Sequence, residues 1–131
     1  MRALSIRQPY AEMILLGLKP GDYRKQRTHI INERFWLYSP KQWARPAAME
    51  GGIWSRDLVA AKPPPWIVEL ATAMKLFGDK ELPTGVIVGS AMIDLCIAGE
   101  GFFQWRFADV ERAKKLIKPT RPPQPVWFEP F

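Results

Sequence analysis

The sequence is poor in the residues that bind metals and form disulfides. Its 131 residues include one cysteine, Cys96, and one histidine, His29. A lone cysteine cannot form an internal disulfide, which is typical of a protein from a reducing compartment. Cys96 lies in an apolar stretch that suppresses the thiolate, so we expect an inert thiol. No second histidine or cysteine lies near His29, so we predict no metal site.

Several familiar patterns are also missing. No apolar run approaches the length of about 18 residues that a membrane-spanning helix requires, so we expect no membrane partner. The first residues lack the charged and then apolar pattern of a secretion signal, which favours a cytoplasmic protein. The sequence contains neither a glycine-rich phosphate-binding loop nor a G-x-S-x-G motif. We therefore predict no cofactor.

The first third of the chain has an excess of positive charge. Residues 1–46 contain nine lysines and arginines against three acids, whereas residues 47–131 contain ten of each sign. A localised basic surface attracts polyanions, and bases stack on aromatic rings that lie among the charges. The alternative is a solvated basic face without a ligand. The aromatic residues interleaved with this charge are Tyr10, Tyr23, Phe35, Trp36 and Tyr38.

The hydrophobic pattern predicts one mostly β or α+β domain over residues 1–131, arranged as a β-barrel with peripheral helices. Residues 40–65 are rich in proline and glycine and indicate an irregular excursion. Gly17 is expected to end the first helix in a left-handed conformation. The predicted strands are 3–6, 34–39, 85–97, 102–107, 116–118 and 126–128, and the predicted helices are 8–16, 66–77 and 109–115.

The strand, helix and turn of the first 27 residues bring unlike charges close together. Arg24 has a planar guanidinium that fits a phosphate or a base edge, and Lys19 can bind phosphate as a point charge. Asp22 can orient Lys19 or accept a hydrogen bond from a base amino group. The alternative is a structural ion-pair network. The predicted ligand-binding or RNA-binding residues are Ser5, Arg7, Gln8, Tyr10, Lys19, Asp22, Tyr23, Arg24 and Arg27.

Two motifs in this region resemble the ASCH domain, a branch of the PUA-like superfamily. Residues 4–12 read L-S-I-R-Q-P-Y-A-E, and residues 17–24 fit G-x-K-x-x-D-x-R. Residues 85–89 resemble the G-x-I-V-G strand of that family. The resemblance covers residues 2–39 and 82–131, so residues 40–81 stand out as an insertion. It implies a PUA-like β-barrel with a cleft that takes RNA or a nucleotide-like ligand.

Two main functions remain open at this point, beside a third, weaker one, a protein–protein adaptor that uses the insertion. One is an RNA- or nucleotide-binding domain. The other is a small hydrolase, a ribonuclease or an amidohydrolase on acylated cytidine, with Lys19 and Asp22 as catalytic residues. The family's acid is a glutamate, whereas Asp22 is one methylene shorter, and the threonine of the amidohydrolase branch is absent. The sequence fixes neither the identity of the ligand nor the oligomeric state.

Overall fold

The computed structural model describes residues 1–8, 10–17, 19–42 and 82–131. Within these ranges the chain forms six strands and one short helix, so the mostly β class is confirmed. The predicted helix at 66–77 and nearly all of the insertion at 40–81 lie outside the described residues. The elements are β1 (Ala3–Ser5), α1 (Tyr10–Leu15), β2 (Gly21–Arg24), β3 (Arg34–Ser39), β4 (Val86–Ala98), β5 (Phe103–Ile117) and β6 (Trp127–Phe128).

The strands form one mixed sheet in the order β2-β5-β4-β3-β1-β6. Only the β1–β3 pair is parallel, and the other four pairs are antiparallel. Backbone hydrogen bonds do not join the outer strands β2 and β6 to each other within the described residues. The sheet is therefore open, whereas the sequence predicted a closed barrel. The short outer strands offer little backbone for closure, because β2 has four residues and β6 has two.

The open sheet is nevertheless strongly rolled. Trp105 of β5 stacks on Trp127 of β6 with ring centroids 6.0 Å apart, although three strands separate β5 from β6 in the sheet. Arg24 of β2 reaches the other end of the sheet, where its Nη2 donates a hydrogen bond of 2.7 Å to the carbonyl oxygen of Ser5. Side chains thus connect each outer strand to the strand next to the opposite edge, across a gap that the backbone leaves open.

The core lies inside this roll and is covered by α1. Leu4, Phe35, Leu37 and Ile93 are fully buried in one cluster with the apolar face of the helix. The predicted helix at 8–16 is observed as α1, and Gly17 has a φ of 76°, which confirms the expected left-handed end. This helix is far too short to cross a membrane, and the described residues contain no other helix.

Strand β5 replaces the helix predicted at residues 109–115. Asp109, which the sequence marked as a helix N-cap, instead has a φ of 49° inside the strand. The register shifts there, since Ser90 pairs with Glu111 and Met92 with Ala108. The prediction was wrong because backbone pairing with β4 outweighs the local helix preference of this charged stretch. Strand β2 was not predicted at all, because four residues show too little alternation.

A second irregularity in β5 is larger. Gly89 of β4 pairs with Arg112, whereas Ile87, two residues earlier on β4, pairs with Ile117. Residues 113–116 of β5 therefore lie opposite a single residue of β4. We call these four residues the β5 bulge.

Candidate functional site

A cavity of about 790 Å³ opens where the ends of β1 and β3 meet strand β2 and the C-terminal segment, residues 118–125. Its volume falls within the range of roughly 300–1,000 Å³ that is usual for small-ligand sites. Among the described residues, its wall has a single carboxylate, that of Asp22. We call it the basic cavity because of its cationic wall residues, which are Arg7, Arg24, Lys25, Lys41, Lys118 and Arg121.

Asp22 and Arg24 form the ordered part of this wall. They are two residues apart on β2, so their side chains leave the strand on the same face. The Nε of Arg24 donates to Oδ2 of Asp22 at 2.6 Å, and the guanidinium lies 5.5 Å from the centroid of the Trp105 ring. Together with the bond to the Ser5 carbonyl, these contacts fix the guanidinium in one place. Arg24 therefore joins β2 to β1 across the open sheet and also contributes positive charge to the cavity.

Lys19 lies behind this wall and is 8% exposed. Its Nζ donates to the carbonyl oxygen of Gly21 at 2.7 Å and is 3.7 Å from Oδ1 of Asp22. The rings of Tyr10 and Tyr23 flank the ammonium, at 4.9 and 5.2 Å. A carbonyl, a carboxylate and two π faces thus compensate the buried charge. Lys19 holds Asp22 from behind and does not line the cavity.

The structure separates the predicted site residues into two groups. Six of them line the basic cavity: Ser5, Arg7, Tyr10, Asp22, Tyr23 and Arg24. Lys19, Gln8 and Arg27 do not. Gln8 is fully buried, where its Nε2 donates to the Pro83 carbonyl at 3.0 Å and its Oε1 accepts from the Glu12 amide. Arg27 lies 5.3 Å from the centroid of the Phe103 ring, away from the wall.

Ser5 links the cavity to the C-terminal segment. Its Oγ donates to the carbonyl oxygen of Gln124 at 2.6 Å, and its amide donates to the carbonyl oxygen of Val126 at 2.9 Å. The sequence placed Ser5 among the predicted ligand-binding residues, and in the structure its hydroxyl binds the C-terminal segment at the cavity wall. The segment adds apolar surface through Pro119, Pro123 and Pro125.

Sequence reasoning missed the cations on the far wall, Lys118 and Arg121. Residues 47–131 are neutral as a whole, so averaging over them hid a local excess. Residues 112–121 alone contain five lysines and arginines and no acid. Summing the charge over a shorter window of residues would have found this stretch. Only the fold shows that its wall residues face residues of β1 and β2.

The cavity wall offers three kinds of contact at once. Cations can bind phosphate, and tyrosine rings can stack on a base. Burial raises the pKa of the Tyr38 hydroxyl, so this group stays protonated at neutral pH and can donate as well as accept.

Among residues 1–8, 10–17, 19–42 and 82–131, no three histidine, cysteine or acidic side chains come together as metal ligands.

Comparison with models of known protein families gives no match, and comparison with curated protein sequences gives none either. The resemblance to the ASCH domain therefore depends on the sequence motifs quoted above.

Proposed function

We propose that this protein is an ASCH-like domain of the PUA-like type that binds RNA or a nucleotide in the basic cavity. The observation that carries the proposal is the combination of cations, tyrosine rings and one carboxylate on a single concave surface. A cavity that binds a simple anion does not need aromatic rings, and a cavity that binds an apolar ligand does not need charged residues. The rolled sheet, joined end to end by Arg24 and by the Trp105–Trp127 stack, supports the PUA-like architecture.

Phosphate would bind to the exposed cations of the wall. Arg7, Lys25 and Arg121 are exposed and project from three different parts of the chain around the opening. Each has the freedom to reach an anion that enters. Arg24 is already held by Asp22 and Ser5, so it contributes mainly a fixed positive field. Contacts to phosphate position the ligand but do not select a base.

The base would lie against Tyr23, which is half-buried, whereas Tyr10 and Tyr38 are buried in the core; stacking on one such ring contributes roughly 1–3 kcal/mol. Asp22 is the one carboxylate among the described residues of this wall, and it precedes Tyr23 on β2. An ionised carboxylate accepts hydrogen bonds and cannot donate them. We therefore expect Asp22 to favour bases with an amino group, which adenine, cytosine and guanine have and uracil lacks.

The hydrolase alternative has less support. A catalytic Lys19 would need its ammonium at the cavity wall, whereas Nζ donates to the Gly21 carbonyl behind Asp22. The single arrangement in its favour is the 3.7 Å approach of Nζ to Oδ1 of Asp22 in a buried setting. Wild-type protein that hydrolyses RNA or an N4-acylated cytidine, and loses this activity on Lys19→Arg, would establish the enzyme.

The binding proposal is tested by titrating a labelled single-stranded RNA of about ten nucleotides at salt concentrations between about 50 and 200 mM. We expect log affinity to fall linearly with log salt, with a slope of about 0.7 for each phosphate neutralised. Arg7→Gln, Lys25→Gln and Arg121→Gln should each weaken binding and reduce the slope by about 0.7.

The matched control is Arg2→Gln, which removes one positive charge outside the cavity. Arg2 pairs with Glu33 at 2.9 Å and is not a wall residue. This variant should keep the affinity and the slope of the wild type. Equal losses for all four variants would point to a diffuse charge effect, and no binding at about 50 mM salt would refute the proposal.

A further inference from the structure

The β5 bulge, residues 113–116, contains two lysines that lie three and four residues before Lys118, a wall residue of the basic cavity. Lys114, Lys115 and Leu116 are all exposed, and Leu116 retains 50% of its surface. No carboxylate of the described residues lies within ion-pair distance of either lysine. Bulges are over-represented beside functional sites, where they redirect side chains. The positive charges of these two lysines are therefore not part of an ion pair within the described residues.

Both ends of the bulge are held in place. Arg112, just before it, pairs with Glu12 of α1, whose carboxylate is fully buried. Ile117, just after it, packs against the cluster that contains Tyr38 and Phe128. Two anchored ends keep the extra residues as a fixed projection of the strand instead of a slack loop.

The bulge also continues the cationic wall. Lys118 lines the cavity and follows Lys115 by three residues, so their Cα atoms are at most about 11 Å apart. Arg121 lies further along the same wall. The chain thus carries cations from inside the cavity to the bulge outside it. A single nucleotide in the cavity would leave Lys114 and Lys115 without a phosphate.

We propose that the β5 bulge binds the phosphates of an RNA strand as it leaves the cavity, so that the ligand is a polynucleotide and not a free nucleotide. This inference rests on the proposed function. Lysine suits the task because its ammonium is a point charge on a flexible stem that follows a backbone without reading sequence. The cavity would then hold one nucleotide, and the bulge would hold its neighbours.

The test compares nucleoside 5′-monophosphates with single-stranded RNAs of about three and six nucleotides, for the wild type and for Lys114→Gln/Lys115→Gln. We expect affinity to rise with length for the wild type. The double variant should lose about 10- to 30-fold on the longest RNA at 0.1 M salt, as two phosphate contacts with slopes of about 0.7 imply. Its affinity for monophosphates should not change.

Two further variants complete the design. Lys114→Arg/Lys115→Arg should bind like the wild type, because it keeps both charges. Arg2→Gln/Arg106→Gln removes two positive charges outside the cavity and the bulge, and it should also bind like the wild type. Monophosphate binding without a gain from length, or an unchanged affinity of the lysine-to-glutamine variant for long RNA, would overturn this inference alone. Failure of every nucleotide to bind would overturn the proposed function with it.

Discussion

Arg24 has a structural task and a ligand-facing position at the same time. Its guanidinium donates to Asp22 and to the Ser5 carbonyl and lies over Trp105, and it also lines the basic cavity. An exposed arginine without such contacts could move to meet a ligand, whereas three contacts fix the guanidinium of Arg24. The bond from Arg24 also fixes the position of the Asp22 carboxylate, so the site is organised before a ligand arrives.

Arg24→Ala should therefore reduce stability as well as binding. We expect the free energy of unfolding to fall by about 1–3 kcal/mol, because the Ser5 carbonyl and the Asp22 carboxylate each lose a hydrogen-bond donor in a partly buried setting. Urea denaturation at neutral pH measures this loss. Arg7→Ala, an exposed change on the same wall, should stay within about 0.5 kcal/mol of the wild type. Equal stability of the two variants would contradict the bridging role.

Among the elements, β5 has the most influence on the site. It pairs with β2 and β4, carries Trp105 toward Arg24, and contains the bulge; the cations of the far wall, Lys118 and Arg121, follow it. The pairing of β5 with β4 is irregular at Asp109 and at the β5 bulge, and these two irregularities bend the strand within the rolled sheet. At the first, Asp109 occupies the left-handed region, which aspartate, asparagine and glycine tolerate better than β-branched residues. Its carbonyl also accepts a hydrogen bond from Arg34 at 3.1 Å.

Substitution of Asp109 tests whether this conformation matters. Asp109→Val should lower the free energy of unfolding by about 1–2 kcal/mol, since a β-branched side chain is strained at positive φ. Asp109→Asn should remain close to the wild type, because asparagine tolerates the same φ. Thermal or urea unfolding gives both values. A loss shared by both variants would instead assign the effect to the carboxylate, which lies 4.0 Å from Arg34.

At the scale of the whole molecule, aromatic side chains hold the rolled sheet together. Trp127 on the outer strand β6 stacks on Trp105 and meets the edge of Phe35 at 5.2 Å. Phe128, next to it, is buried against Tyr38. The contacts of Trp127 with Phe35 and of Phe128 with Tyr38 join residues about 90 apart in the chain, and the Trp105–Trp127 stack joins residues 22 apart. They also hold the C-terminal segment, and hence Lys118 and Arg121, over the cavity.

Trp127→Ala should destabilise the entire domain. We expect a loss of about 3 kcal/mol, at the lower end for a tryptophan truncation because Trp127 is only partly buried. The near-UV circular dichroism of the stacked pair should disappear in the folded variant. Phe131→Ala, at a ring that is 46% exposed, is the control and should change stability by less than about 0.5 kcal/mol. An unchanged unfolding midpoint for Trp127→Ala would show that β6 is dispensable.

The sequence by itself determined the elements whose signals are local. The strand at 34–39, the apolar strand that begins near 85 and the helix that ends before Gly17 follow from alternation, apolar runs and a left-handed glycine. The sequence also grouped Asp22 and Arg24 with Lys19, because the turn after Gly17 brings their charges together. That Asp22 and Arg24 share one face of strand β2 follows from the structure, since no strand was predicted there.

Only the tertiary structure decided what depends on distant partners. Residues 109–115 form a strand because β4 offers them hydrogen bonds, although their own composition favours a helix. Lys19 turns toward the Gly21 carbonyl and away from the cavity because two tyrosine rings close around it. Lys118 and Arg121 face the first third of the chain because the sheet rolls and Ser5 binds Gln124. The Ser5–Gln124 bond joins residues 119 apart, and the pairs of Glu111 and Arg112 with β4 join residues 21 and 23 apart, so a local sequence pattern contains no record of them. The partners of Lys19 are near it along the chain, but only the folded backbone sets the direction of its side chain.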